Sequence, residues 1–193
     1  IVGVSASIGS VWAGSMIALQ SIWYSENKSA TFQFFDDSKN WLGMDKAGHI
    51  YTAYQLNRLS SDLYQWSGVP QKKSAWLGFG ISMGYQTTLE ILDGFSTTWG
   101  WSWADFGANI IGSSLYTGQE IVWKEQRILP KFSYHPTDFA AIRPSVLGST
   151  FSESLLKDYN GQTYWLSFSP RSFFPHWDIP KWACLSFGYS AHE

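Results

Sequence analysis

The pattern of apolar and polar positions predicts four long helices in the first two thirds of the chain. The run from Ala75 to Leu92 has apolar residues at helical spacing, and it lies between Pro70 and Gly94, which favour a helix start and a helix end. Ser102 can cap the next helix, with Asp105 three residues later. We therefore expect helices over residues 3–22, 44–66, 71–93 and 102–126.

The pattern changes after Pro130, where prolines recur every few residues and interrupt helices. We expect only one short helix there, over residues 152–159. Two segments, 163–168 and 185–189, alternate like strands and could pair as a hairpin. The sequence therefore predicts a mainly α fold: a compact helical bundle of about four helices in a domain over residues 1–129. An irregular, partly β extension rich in proline and aromatic residues follows over residues 130–193.

Composition changes this picture by pointing away from an ordinary soluble enzyme. Of the 193 residues, 15% are charged, against ~25% in typical globular domains, and 18% are aromatic. Aromatic residues suit surfaces between water and a less polar phase. The net charge of -2, with no long basic run, argues against a nucleic-acid partner. A single cysteine, Cys184, excludes an intramolecular disulfide and a cysteine-rich zinc site.

The first 25 residues raise the question of a membrane. The segment from Ile1 to Ser25 carries no charge and is long enough to cross a bilayer. Its six serines and Gln20 also fit a helix buried in a soluble bundle. Small residues four apart, such as Gly80 and Gly84, allow close helix packing in either setting. Both interpretations stay open on the sequence.

The few charged residues of the bundle fall on single faces of three successive helices. Within each helix these polar residues include a pair three or four positions apart, so each pair shares a face and the three helices can direct them at one point. An acidic residue in so apolar a sequence is costly to bury unless it is paired. The candidate polar cluster consists of Asp45, Lys46, His49, Glu90, Asp93, Asp105 and Asn109.

Three interpretations of this cluster compete. In the first, these are candidate catalytic residues, with His49 as general acid or base oriented by Asp45 or Glu90. In the second, carboxylates and one imidazole hold a metal ion, although the spacing matches no specific metal motif and assigns no ligand. In the third, the cluster is a structural network that fixes the helix register. We expect no cofactor beyond such a possible metal.

A tryptophan run lies beside this cluster in sequence. Trp99, Trp101 and Trp103 could bind sugars or lipid headgroups by stacking, or anchor a helix at a membrane interface. They could equally form an aromatic plug in the core. The run is therefore a candidate binding surface with a purely structural alternative.

Several of these motifs resemble a known family. They are Asp45-Lys46-Ala47-Gly48-His49, then Glu90-Ile91-Leu92-Asp93-Gly94-Phe95-Ser96, then Trp99-Gly100-Trp101-Ser102, with Asp105 and Asn109-Ile110-Ile111-Gly112. Together they resemble the YfiM-like family of predicted bacterial periplasmic lipoproteins, a domain of unknown function. The later segments 158–167 and 180–182 resemble its longer form in Bacteroidetes-type bacteria. The order of the charged motifs is more distantly similar to VanZ-like membrane proteins.

The resemblance implies a bacterial envelope location and carries no established activity. Because no cysteine lies near Ile1, we expect residues 1–25 to take the place of a lipid anchor. We expect a membrane-associated envelope protein, at the periplasmic face of the outer membrane or embedded in it, that serves as a structural or accessory subunit of a protein complex. Its partners would be envelope proteins and membrane lipid. The alternative is a hydrolase or transferase acting on a lipid or cell-wall precursor through the polar cluster.

Overall fold

The computed structural model describes residues 1–20, 24, 28–180 and 182–192. Four long helices come first: α1 (Val2–Leu19), α2 (Met44–Trp66), α3 (Gln71–Gly94) and α4 (Trp103–Val122). Four short helices follow: α5 (Asp138–Ile142), α6 (Pro144–Leu147), α7 (Phe151–Lys157) and α8 (Pro170–Phe173). The expectation of only one short helix, over 152–159, was therefore wrong: prolines taken as interruptions begin α6 and α8. The strands are β1 (Ile128–Tyr134), β2 (Gln162–Phe168) and β3 (Leu185–Tyr189). The predicted mainly α class with a partly β extension is confirmed.

Local signals placed most helix ends correctly. Helix α3 begins directly after Pro70, and the Ser102 hydroxyl caps α4 by accepting the Asp105 backbone N–H at 3.1 Å. Helix α3 runs through Gly94, one residue beyond the expected end. Gly94 is needed there for space rather than for a left-handed turn, because a Cβ would overlap the Phe32 ring. For the first helix, the last two predicted positions, 21 and 22, lie outside the described residues.

Helix α4 ends at Val122, four residues before its predicted end. Lys124 adopts a left-handed conformation with φ of 57°, which ends the helical path. The Gln126 side chain then turns back and accepts hydrogen bonds from Tyr54 Oη at 2.9 Å and from Gln119 Nε2 at 2.8 Å. These bonds, of which the one from Tyr54 spans 72 residues, redirect the chain into β1.

The sheet has three strands in the order β1-β2-β3, all antiparallel. The expected pairing of the two alternating segments is confirmed, although residues 169–184, including α8, connect them instead of a tight turn. Strand β1 was missed because Pro130 looked like a breaker. Pro130 pairs with Leu166 from an edge strand, where a missing backbone donor is tolerated.

The interior of the α2–α3–α4 bundle is polar and closely packed. Asn57 Nδ2 on α2 donates to the Ser113 carbonyl at 2.9 Å and to Thr117 Oγ1 at 2.8 Å, both on α4. A Cβ at Gly112 would overlap the Ile50 carbonyl oxygen, so glycine lets α4 approach α2. Side-chain hydrogen bonds across closely packed helices, rather than a large apolar core, fix how the three helices meet.

Helix α1 lies on the outside of this bundle. Ser5 Oγ lies 2.9 Å from Tyr64 Oη, and the Trp12 ring packs 5.8 Å from that of Tyr85. The rest of α1 is largely exposed, including Val11 at 72% and Ile17 at 71%. In the described ranges, α1 is the helix that is long and apolar enough to cross a membrane.

Candidate functional site

The candidate polar cluster forms because three helices meet at one end of the bundle. Helices α2, α3 and α4 alternate in direction, so the start of α2, the end of α3 and the start of α4 lie together. The seven predicted residues occupy those turns. The structure gathers most of them around Lys46 and His49, and it adds Asp37, Gln86, Ser102 and Tyr159, which sequence reasoning had not selected.

Lys46 is the cationic centre of one half of the cluster. Its Nζ lies 2.7 Å from Asp37, 2.9 Å from Asp45 and 2.5 Å from Asp105. Burial alone would lower the pKa of this ammonium, but the surrounding carboxylates outweigh burial and raise it. Lys46 therefore stays charged and ties the loop before α2 to helices α2 and α4.

His49 is held from one side by a buried amide. Its Nδ1 lies 3.0 Å from Asn109 Oδ1, which also accepts a 2.8 Å hydrogen bond from Gln86 Nε2. Because Oδ1 is an acceptor, His49 Nδ1 is the donor. The other ring nitrogen, Nε2, faces Asp45 Oδ1 at 3.8 Å and Asp105 Oδ1 at 3.7 Å. These separations are too long for direct hydrogen bonds and leave Nε2 available.

Glu90 is the most deeply buried carboxyl group of the cluster, with its side chain 1% exposed. Its Oε2 accepts a long 3.4 Å hydrogen bond from the Ser102 backbone N–H. Its Oε1 lies 3.7 Å from His49 Nδ1 and finds no hydrogen-bond donor among the described residues. Burial of a carboxyl oxygen without a hydrogen-bond donor is costly, so the site contains an acceptor that none of its own described side chains satisfies.

Burial and charge shift the pKa values of the cluster in different directions. Burial raises the pKa of Glu90 to about 8 and that of Asp105 to about 7. Burial alone would also raise the pKa of Asp45, but the charges of His49 and Lys46 outweigh burial and lower it. For His49, burial alone would lower the pKa, but the charges of Asp105, Asp45 and Glu90 outweigh burial and raise it. Near neutral pH the site therefore combines groups that hold protons with groups that accept them.

The extension contributes Tyr159 to the site. Its hydroxyl donates to Asp45 Oδ1 at 2.7 Å, and burial together with the Asp45 charge raises the pKa of this phenol. Tyr159 lies in segment 158–167, which carried part of the family resemblance, so that segment was the available signal for it. The hydrogen bond orients the Asp45 carboxylate toward His49.

Asp93 lies at the margin of the cluster. Its Oδ1 accepts a 2.7 Å hydrogen bond from Tyr24 Oη, and burial raises its pKa to about 6. The nearby His49 charge partly opposes that shift. Asp93 therefore connects the segment after α1 to the end of α3.

The tryptophan run divides between packing and exposure. The Trp101 ring packs 6.2 Å from Phe32 and 5.6 Å from Phe106, whereas Trp103 is 66% exposed. The Trp99 ring lies 6.1 Å from that of Tyr24. Ser102, in the middle of the run, joins it to the cluster by donating to Asp37 Oδ1 at 2.6 Å. The run borders the cluster, with Trp103 as its exposed member.

Three residues offer atoms in an arrangement that a metal ion could use. Asp45, His49 and Asp105 each place one potential ligand atom within 4.8 Å of the others. The Lys46 ammonium contacts both carboxylates, so a cation would compete with it. Oxygen and imidazole donors in this combination suit first-row divalent ions.

Comparisons with known proteins bear on the location of the chain. Residues 32–117, somewhat less than half of the chain, match the profile of a family described as predicted periplasmic lipoprotein (DUF2279). That range contains every member of the candidate polar cluster chosen from the sequence. No curated protein and no solved structure matches the chain. The match supports an uncharacterised protein of the cell envelope, at the periplasmic side.

Proposed function

We propose that the chain is a membrane-associated envelope hydrolase or transferase that acts on a lipid or cell-wall precursor through the candidate polar cluster. The similarity to a predicted periplasmic lipoprotein family supports the location. The more distant resemblance of the charged motifs to VanZ-like membrane proteins is in keeping with a site close to lipid. The chemistry assigned to the cluster is general acid–base catalysis by His49.

The observation that carries this proposal is the position of His49 Nε2. Asn109 fixes the opposite ring nitrogen, while Nε2 faces two carboxylates across gaps of 3.7 and 3.8 Å. The side chain is 19% exposed, so the ring is in contact with solvent. A ring held by one nitrogen and open at the other can give or take a proton at one defined atom. Asp45 and Asp105 would stabilise the protonated ring.

Helix α1 supports the membrane part of the proposal. Its 18 residues span about 27 Å at 1.5 Å per residue, close to the ~30 Å of a bilayer core. None of its described residues is buried, and the side chains of Val2, Val11 and Ile17 are exposed. Inserted in a bilayer, α1 would hold the polar cluster near the lipid surface, where an amphiphilic substrate is found.

A turnover experiment tests the enzyme. The purified full chain is incubated in phospholipid vesicles with an envelope extract, and lipids and cell-wall precursors are followed by mass spectrometry. We expect one precursor to be consumed by the wild type and by His135→Gln, an exposed histidine in the extension. His49→Gln should abolish that turnover because glutamine cannot transfer the proton. Equal turnover by His49→Gln, or none by the wild type, contradicts the proposal.

A second candidate function is an accessory subunit of an envelope complex, and the β3 strand favours it. All five β3 residues are exposed, and in the described ranges β3 pairs with β2 along one edge. An exposed strand edge is a ready site for pairing with another chain. Purification in mild detergent should then recover envelope proteins with the wild type and fewer with Phe187→Asp. Leu156→Asp, a matched exposed position on α7, should leave recovery unchanged.

A further inference from the structure

We propose that Asp45, His49 and Asp105 bind one first-row divalent cation of the Mn²⁺ or Zn²⁺ type. The cation would be a cofactor of the proposed function, and to that extent this proposal rests on it. Cation binding itself can be measured without turnover. The three potential ligand atoms come from the first two turns of α2 and the first turn of α4, and they lie within 4.8 Å of one another.

The spacing around His49 fits an ion between the three side chains. Ligands bound at about 2.0–2.2 Å in tetrahedral or octahedral sites lie roughly 3–3.5 Å apart. The distances from His49 Nε2 to the two carboxylate oxygens, 3.7 and 3.8 Å, exceed this by only a few tenths of an ångström. The separation between the two carboxylate ligand atoms is bounded at 4.8 Å, so side-chain movements of about 1 Å would close the three ligands around an ion, with water completing its coordination.

The hydrogen bonds behind the ligands are those that a metal site requires. Asn109 holds the proton on His49 Nδ1, which presents the Nε2 lone pair of the neutral ring toward the carboxylates. Gln86 fixes the Asn109 amide by donating to the same oxygen. On the other side, Tyr159 orients Asp45 through its Oδ1. Metal-bound histidines and carboxylates commonly have such partners, which set their tautomer and direction.

Glu90 supplies an independent reason to expect a cation. Its 1% exposed side chain points an unpartnered Oε1 at the His49 ring, 3.7 Å from Nδ1. The described cluster has five carboxyl groups, those of Asp37, Asp45, Glu90, Asp93 and Asp105, against the single ammonium of Lys46 when the His49 ring is neutral. A divalent ion beside His49 would offset this excess of acidic groups and would lower the cost of ionising the buried Glu90 carboxyl behind the ring.

Lys46 is the internal competitor of the ion. Its ammonium contacts Asp45 and Asp105 and also reaches Asp37 at 2.7 Å. Binding would move Lys46 away from the two ligands, and Asp37 would retain it. This competition gives the proposal a test with a distinctive sign, because removal of Lys46 should strengthen binding, whereas general damage to the site should weaken it.

The experiment is a Mn²⁺ titration of the full, chelator-treated chain in mild detergent, followed by loss of the free-ion EPR signal. We expect one ion per wild-type chain, with affinity reduced at least about tenfold in His49→Gln and in Asp105→Asn. Lys46→Gln should increase the affinity. Asp62→Asn, an exposed carboxylate on the same helix α2, should leave it unchanged. Circular dichroism shows which variants are folded.

Absence of a stoichiometric wild-type site for both Mn²⁺ and Zn²⁺ would overturn the inference, whatever the variants do. Binding that persists in folded His49→Gln would overturn it too. Neither result touches the enzyme proposal: turnover that needs His49 and survives the chelator indicates acid–base chemistry without metal. Stoichiometric binding without turnover would support the cation site and contradict the enzyme.

Discussion

Glu90→Gln tests the electrostatic description of the site through stability. Burial raises the Glu90 pKa to about 8 from an ordinary value of 4.5. The folded protein therefore binds this proton more tightly than the unfolded chain does. The favourable contribution is complete below pH 4.5 and is lost as pH rises through 8. At about 1.4 kcal/mol per pKa unit, the loss approaches roughly 5 kcal/mol.

The glutamine variant keeps the shape of the side chain and removes its ionisation. Its new amide alters the hydrogen bonds near His49, which shifts the free energy of unfolding by roughly 1–3 kcal/mol at every pH. The informative quantity is therefore how the difference in unfolding free energy between variant and wild type changes with pH. We expect the free energy of unfolding of Glu90→Gln, relative to wild type, to rise by several kcal/mol between pH 5 and 8.5. Urea unfolding followed by circular dichroism, with a chelator present, measures it.

Glu125→Gln is the matched control, because Glu125 is exposed beside Arg127. The difference in unfolding free energy between Glu125→Gln and wild type should change by less than about 1 kcal/mol between about pH 5 and 8.5. A Glu90→Gln difference that is equally constant would refute the reasoning, since it would mean that the buried carboxyl is not held neutral by the fold.

Three further predictions address packing, orientation and the membrane. Gly112→Ala should lower the free energy of unfolding by roughly 1–3 kcal/mol, because the added Cβ overlaps the α2 backbone. Gly107→Ala should raise it by about 1 kcal/mol, because the Cβ added there meets no other atom within 4 Å. Urea unfolding that shows shifts of the same sign for both variants would contradict this. Gln86→Leu should release the Asn109 amide and give His49 mixed tautomers in ¹⁵N NMR spectra, and an unchanged spectrum would argue against that role. Val11→Asp should reduce flotation of the chain with phospholipid vesicles, since a charge on the exposed face of α1 costs about 3 kcal/mol in a bilayer; equal flotation would exclude α1 as the membrane contact.

Much of the helical part was predictable because its signals are local. Pro70 and Ser102 act within one turn of the backbone they start, so each marks a helix wherever the rest of the chain lies. The pairing of Asp45 with His49, or of Asp105 with Asn109, follows from helical spacing alone. Three such faces in antiparallel helices were enough to predict that polar groups converge.

The features that were missed depend on contacts between distant residues. Strand β1 can contain Pro130 because this residue lies on an edge strand, opposite Leu166, and no local pattern around Pro130 indicates that position. Gln86 looked like an ordinary polar helix residue until Asn109 was placed beside it, 23 positions later. Tyr159 reaches Asp45 across 114 residues.

The sequence by itself determined the four long helices, their polar faces and an apolar first segment, because these depend on spacing within one element. Only the tertiary structure decided which nitrogen of His49 is free, which carboxyls are buried and where Lys46 points. Those properties arise from side chains of three helices, a loop and the extension meeting at distances of a few ångströms. Burial, which shifts the pKa of Glu90 and Asp105, is likewise a property of the packed bundle rather than of any segment.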